Sequence, residues 1–347
     1  MTDTPYKSAI VGLGYIGGAD QISGDALGQL VEDLDGTHIE ALAKHPKVDV
    51  VAGSSRDLGR RERFTERTGI PTYADWQEML QKEDLDIAAV ATYTPVHEEI
   101  TVACAQHGVR AILCEKPISP TAAAGAHMVA ACEEARSLLA INHNRRFNPN
   151  YRRLRDLIAD GGLGELTSVT AQWPSGRLGN VGTHVFDAIC MITGRRVEAV
   201  SGTLDLAGKP DCRGSDFQDP GGWGLMRLEG GLITTVDASD YARVPMFIAL
   251  NGTEGRASTG GDEVKIEYWD GRQDNWSSPR ARATSMDVAV GEIVQWLDDG
   301  TTFPYPAIEA VHTLEAIAGF HVSHGRSGSW VSLPLEGEDR ELVVRTG

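Results

Sequence analysis

The chain has 347 residues, 41% hydrophobic and 23% charged, a length at which one core rarely suffices and a composition unlike that of a disordered protein, so two globular domains are expected. A formal net charge of −17 argues against a nucleic-acid partner and against an anionic membrane surface, because both call for a basic face. No run reaches the ~20 apolar residues of a spanning helix, and the opening MTDTPYKSAIVG has no signal-peptide pattern, which makes the cytoplasm the expected location.

From the N-terminus, apolar runs alternate with helical patterns: a strand at Ser8 to Val11, a helix at His38 to Lys44 and a strand at Val48 to Ala52. Helices follow at Leu58 to Thr68 and Ala74 to Gln81, a strand at Ile87 to Ala91, a helix at Glu98 to His107 and a strand at Ala111 to Cys114. A helix from Thr121 to Arg136 and a strand from Leu138 to Ile141 close this βαβαβ series, which predicts a parallel sheet with helical crossovers over residues 1–145. Residues 146–347 read differently, with a helix at Asn150 to Asp160, a strand near Glu165 to Gln172 and a helix at Gly182 to Ile192. Short strands at Leu225 to Leu228, Leu232 to Ala238, Met246 to Asn251 and Val264 to Trp269, spaced by Gly-rich turns, suit an antiparallel sheet covered on one face. Such a sheet can support a substrate pocket or a subunit interface, and a homo-oligomer (dimer or tetramer) is expected. Two helices, Asp287 to Asp298 and Pro306 to His324, precede a last strand at Trp330 to Leu333.

The first strand runs directly into a GxGxxG, Gly12-Leu13-Gly14-Tyr15-Ile16-Gly17, whose glycines permit a tight turn and let backbone approach a pyrophosphate. A polar insertion, Gly18 to Thr37, with Asp20, Asp25, Glu32, Asp33 and Asp35, separates this turn from the next helix and is either a lid or a surface loop without a role. The second strand ends in Ser54-Ser55-Arg56-Asp57. A small hydroxyl followed by Arg56 leaves room and positive charge for a 2′-phosphate, which favours NADP, while Asp57 keeps NAD open. Thr92, Thr94, Pro95 and His97 follow the third strand at the sheet edge where ligands bind, although His97 alone suits helix packing better. Glu115-Lys116-Pro117 ends the next strand at that edge, and the proline keeps Lys116 out of helical geometry. An ammonium there can hydrogen-bond a reacting oxygen and stabilise developing alkoxide charge. Five cysteines without CxxC spacing read as buried small residues, and no metal site is indicated.

The strand–GxGxxG opening, the ATYTPVH strand end, Glu115-Lys116-Pro117 and Asn144-Arg145-Arg146-Phe147-Asn148-Pro149 together resemble the glucose–fructose oxidoreductase / inositol dehydrogenase / rhizopine-catabolism (Gfo/Idh/MocA) family. The resemblance continues through Asn180 to Asp187 and into Ser329 to Pro334. It implies an N-terminal Rossmann domain, a C-terminal α/β domain on an open, mostly antiparallel sheet, and a pocket between them. It matches Lys116 to the family's catalytic lysine and His184 to the histidine that exchanges the hydroxyl proton while the nicotinamide exchanges a hydride. Asp187, three residues on, is then placed to hold a second substrate hydroxyl. Many relatives carry Asp where this chain has Asn180. An amide accepts no proton, so Asn180 is expected to position the substrate. Arg145 and Arg146 either reach the nicotinamide or an acidic substituent, or are linker charges; Trp173 and the segment Asp219 to Gly224 are candidates for the pocket mouth.

The function expected on this resemblance is an NAD(P)-dependent sugar or cyclitol dehydrogenase or ketoreductase acting on a small-molecule polyol. The two other classes to weigh are a dinucleotide-binding sensor without catalysis and a glycosidase that keeps its NAD tightly bound.

Overall fold

The apolar runs of the N-terminal half pair side by side in a computed structural model of the chain, which describes residues 4–26, 36–174, 176–206, 217–239, 244–261, 263–277 and 283–346. The elements run β1 (Tyr6–Val11), α1 (Tyr15–Gly18), α2 (Gln21–Ala26), α3 (His38–Lys44), β2 (Val48–Ser54), α4 (Leu58–Thr68), β3 (Thr72–Tyr73) and α5 (Trp76–Lys82). β4 (Ile87–Val90), α6 (His97–Gln106), β5 (Ala111–Cys114), α7 (Ala122–Ala135) and β6 (Leu138–Ile141) follow. All six strands are parallel, in the order β3-β2-β1-β4-β5-β6. β4 and β5 are buried on both faces, which is why they read as unbroken apolar runs rather than alternating ones.

α8 (Pro149–Ala159), β7 (Leu166–Gln172), α9 (Thr183–Thr193), β8 (Val197–Asp205), β9 (Gly221–Leu228), β10 (Ile233–Ala238), β11 (Phe247–Gly252), β12 (Gly255–Thr259), β13 (Val264–Tyr268) and β14 (Gln273–Trp276) come next. α10 (Ser285–Asp299), α11 (Ile308–Gly325) and β15 (Val331–Ser332) complete the chain. The nine-stranded sheet has the order β14-β13-β12-β11-β7-β10-β9-β8-β15 and is antiparallel except where β10 runs parallel to β7. Burial alternates along β10, where Thr234, Val236 and Ala238 point inward, and along β12 and β13. Trp173, Phe186 and Phe320 form its aromatic centre, edge-on or tilted at 5.6 to 6.0 Å between centroids.

Contacts divide the chain into one unit of Met1–Ser119, Ala124–Asn142 and Ala283–Ile308 and a second of Pro120–Ala123, His143–Arg282 and Glu309–Gly347. The largest departure from a division into 1–145 and 146–347 is the segment Ala283–Ile308 with α10, which is capped by a reciprocal Thr284–Asp287 box. Its Met286, Val290, Ile293, Val294 and Leu297 join Ile10, Leu13 and Leu42 in the core of the first unit. Each such side chain contributes roughly 1.5–3 kcal/mol by leaving water, so α10 is integral to that unit although more than 140 positions in the sequence separate it from β6. No helix among the described residues is long and apolar enough to cross a membrane.

Candidate active site

The carboxyl ends of β2, β1, β4 and β5 lie next to one another on one edge of the parallel sheet. Gly12 has φ +104°, and a Cβ there would sit 2.4 Å from the Ala91 carbonyl oxygen; one on Gly17 would sit 1.9 Å from the Gly12 carbonyl oxygen. Only glycine closes this turn. Gly14 precedes α1 in extended geometry and caps it without a side chain, a strand–turn–helix arrangement of the kind that holds a pyrophosphate. Tyr15 is half-buried and Ile16 exposed. The nearest side-chain atom to a Cβ on Gly14 would be Nη1 of Arg60, at 3.8 Å.

At the end of β2, the Ser54 carbonyl accepts the Gly12 N–H at 2.9 Å. Ser55 accepts the Asp57 N–H through its hydroxyl, and Asp57 accepts the Arg60 N–H at 2.9 Å as the N-cap of α4. Arg56 is exposed, its guanidinium 5.9 Å from the Tyr93 ring centre. The start of the insertion is stapled to α4: Asp20 accepts from Nε and Nη2 of Arg63 at 2.8 Å, and Arg67 donates to the Gly18 carbonyl. Positions 27–35, with Glu32, Asp33 and Asp35, lie outside the described residues.

Lys116 is half-buried after β5, beside a carboxylate with a built environment. Glu115 accepts from Asn142 Nδ2 at 2.6 Å and pairs with Nε2 of fully buried His38 at 2.9 Å. Burial pushes the Glu115 carboxyl up, but the His38 hydrogen bond and charge, then Lys116 and Asn142, outweigh it and hold the pKa at about 2. Glu115 is therefore a fixed negative charge next to Lys116. His38 and Asn142 escaped the sequence reading; the one available signal was a polar residue at the end of an apolar strand, Asn142 after β6.

His97 is fully buried, its ring nitrogens 3.0 and 3.1 Å from the carbonyl oxygens of Pro117 and Thr92, and burial pushes its pKa down. It ties the ends of β4 and β5 together. Thr94 is also buried, whereas Thr92 is half-buried and Pro95 exposed.

In the second unit a single π-helical turn, Leu178–Gly182, leads into α9. Asn180 and His184 are half-buried on this turn and the next. Asp219 accepts the N–H groups of Gly179 and Asn180, both at 2.7 Å; the DPGGWG segment thus braces the Asn180 turn. Gly179 is needed there, since a Cβ would meet the Thr346 side chain at 1.9 Å.

Three expectations need correction. Asp187 is fully buried, both oxygens within 2.9 Å of Arg146 Nε and Oδ1 also 2.7 Å from Arg146 Nη2. Both oxygens are committed to Arg146, and Oδ1 also to His143. Burial works against its charge, but His143 and Arg146 hold its carboxyl at about 2. Arg146 is correspondingly a buried structural cation rather than a substrate contact. Trp173 is likewise core, its indole N–H donating to the Gly176 carbonyl at 2.7 Å. Arg145 donates to the Tyr151 hydroxyl at 3.3 Å and lies over that ring. Among the described residues, no three His, Cys, Asp or Glu side chains are grouped to hold a metal.

Residues 6–143 match the family model for GFO_IDH_MocA, described as an oxidoreductase family with an NAD-binding Rossmann fold. The chain is 28% identical over 238 residues to a trans-1,2-dihydrobenzene-1,2-diol dehydrogenase of Xenopus tropicalis, covering 62% of this chain and 69% of that protein. It is 29% identical over 314 residues, 86% of each chain, to an inositol 2-dehydrogenase of Arthrobacter sp. (strain FB24). Its fold is that of an inositol dehydrogenase homolog from Azotobacter vinelandii, solved with NADH and myo-inositol, at TM-score 0.77 and 18% identity over 95% of this chain and 98% of the other. The likeness to the GFO_IDH_MocA oxidoreductase family thus lies in the NAD-binding Rossmann unit, and the likeness to the inositol 2-dehydrogenase extends over most of the chain.

Proposed function

We propose that this chain is an NAD(P)-dependent oxidoreductase that interconverts a carbinol and a ketone on a sugar, cyclitol or sugar derivative, with NADP preferred over NAD. The observation that carries the reading is the common edge of the parallel sheet: a glycine turn that admits no side chain after β1, and Lys116 beside the charge-fixed Glu115 after β5. Two curated relatives, named for a cyclic diol and for inositol, support a hydroxylated ring as substrate.

When bound, nicotinamide supplies or takes up a hydride at the substrate carbon. The chain's own part is proton handling and orientation. The Lys116 ammonium hydrogen-bonds the reacting oxygen and stabilises negative charge as it develops. His184 takes the hydroxyl proton in oxidation and returns it in reduction. Asn180, held by Asp219, donates to or accepts from a neighbouring hydroxyl without transferring a proton. Arg56 would hold a 2′-phosphate, with the neighbouring Asp57 engaged as the cap of α4. A cytoplasmic homo-oligomer completes the reading; exposed Trp223 on β9 supports an assembly through the nine-stranded sheet.

The test is absorbance at the reduced-nicotinamide band with a panel of polyols, aldoses and glycosides and either dinucleotide, with Lys116→Ala alongside. Turnover that the variant loses supports the reading. Dinucleotide binding without turnover on any member of a broad panel transfers the assignment to a sensor, and cofactor that copurifies without net reduction transfers it to a glycosidase with tightly held NAD.

A further inference from the structure

We propose that His143 is a positioning residue that clamps the first turn of α9 and thereby sets the orientation of His184; the inference rests on the catalytic reading of His184. His143 is buried, and its ring bridges two residues one helical turn apart: Nδ1 lies 3.1 Å from Oδ1 of Asp187 and Nε2 lies 3.0 Å from Oγ1 of Thr183. The Asp187 carboxylate accepts only, so Nδ1 donates to it, while Nε2 shares a hydrogen bond with the Thr183 hydroxyl. Arg146 pairs with the same carboxylate, which holds the anchor end of the bridge charged and immobile. Thr183 opens α9 and Asp187 lies four residues on, so one rigid imidazole spans the turn that bears His184. The His184 ring packs edge-on against it, with centroids 6.1 Å apart and planes at 73°. A proton-transfer group is useful only when its ring is aimed, and a misplacement of about 1 Å costs on the order of a hundredfold in rate. His143 touches neither the reacting atoms nor solvent; its effect passes through Thr183 and the His184 ring.

His143→Phe keeps a ring against His184 and removes both hydrogen bonds; Thr183→Val removes one. Each is expected to lower kcat by roughly ten- to a hundredfold while KM for the dinucleotide stays within about twofold. The double variant is expected to be no slower than the slower single, because both changes open the same bridge. His143→Gln, which retains a donor and an acceptor, is expected to recover most of the lost kcat. Without any turnover, the His184 Cε1–H resonance, assigned through His184→Ala, is expected to shift in His143→Phe. Unchanged kcat and an unchanged His184 resonance in His143→Phe, or additive losses in the double variant, would overturn the proposal. Should His143→Phe fail to fold, Thr183→Val carries the same test, and an unchanged kcat there overturns it equally. His184→Ala separates the two layers: full activity in that variant sinks the catalytic reading and this inference with it, whereas loss of activity there with intact His143 and Thr183 variants sinks this inference alone.

Discussion

The Asp219 carboxylate accepts the backbone N–H of Asn180 at 2.7 Å, and that of Gly179 at the same distance. Two charge-assisted bonds from one buried carboxylate fix the turn that precedes α9, and each is worth roughly 1.5–3 kcal/mol. Asp219→Ala is expected to raise the substrate KM by about tenfold or more, as the turn and Asn180 lose their anchor. The dinucleotide Kd, measured by fluorescence titration, is expected to stay within about twofold, because no Rossmann residue takes part in this brace. A substrate KM equal to the parent's would show that Asn180 is held by other means.

The Arg146–Asp187 pair is buried at both ends, so its removal is felt in stability before activity. Asp187→Ala leaves an uncompensated guanidinium in the core and is expected to cost roughly 3–5 kcal/mol. Replacing both residues, Arg146→Met with Asp187→Leu, is expected to recover much of that loss, since no unpaired charge remains. Urea unfolding followed by circular dichroism measures both; a double variant as unstable as the single would mean that the pair acts through more than its charges.

The fate of Asp187 shows where the sequence stops being informative. A three-residue spacing from His184 is compatible with a shared helix face, yet positions 185 to 189 of α9 are all buried. The partner that draws Asp187 inward, Arg146, lies 41 positions earlier, beyond any helical period. By contrast α4 and β6 were legible end to end, because each is a single uninterrupted pattern with a clear stop: Gly69 in the left-handed region after α4, and polar Asn142 after β6. β8 did not stand out between its Arg-rich approach and its half-buried end, β12 is made of small residues apart from Arg256, and β14 exposes three of its four side chains. The glycine turn and Lys116 were legible because close backbone approach and a strand-end proline leave marks in one dimension. The roles of His38, Asn142, His143 and Asp219 left no such mark, since they depend on pairings formed only when distant segments meet.

Acid sensitivity follows from the two depressed carboxyls. Glu115 and Asp187 have ordinary values of 4.5 and 3.8 and folded values of about 2. A carboxyl whose pKa falls on folding stabilises the native state above its unfolded value, and that contribution disappears as pH drops through the folded value. Tm is therefore expected to fall between about pH 4.5 and pH 2 through these groups, with no contribution from them near neutrality. Glu115→Gln is expected to flatten part of that decline while lowering Tm at pH 7, where the parent gains from the His38 and Asn142 bonds. A Tm–pH curve in Glu115→Gln that runs parallel to the parent's throughout this window would remove Glu115 from the account.

The dinucleotide preference turns on neighbouring residues with opposite commitments. Asp57 is used locally: its Oδ1 accepts the Arg60 N–H, so it caps α4 and has that much less capacity for a ribose diol. Arg56, exposed at the same strand end, contributes positive charge, and Arg60 lies close to the Gly14 turn. Arg56→Ala is expected to raise KM for NADP by about tenfold, the loss of one charged hydrogen bond, and to change KM for NAD by less than about twofold. Asp57→Ser retains a capping oxygen and removes only the carboxylate charge. If Asp57 read the ribose of NAD, this change would raise the NAD KM severalfold; if its task is the cap, as the geometry has it, NAD kinetics remain those of the parent and NADP binding tightens slightly, with one repelling charge removed beside the 2′-phosphate.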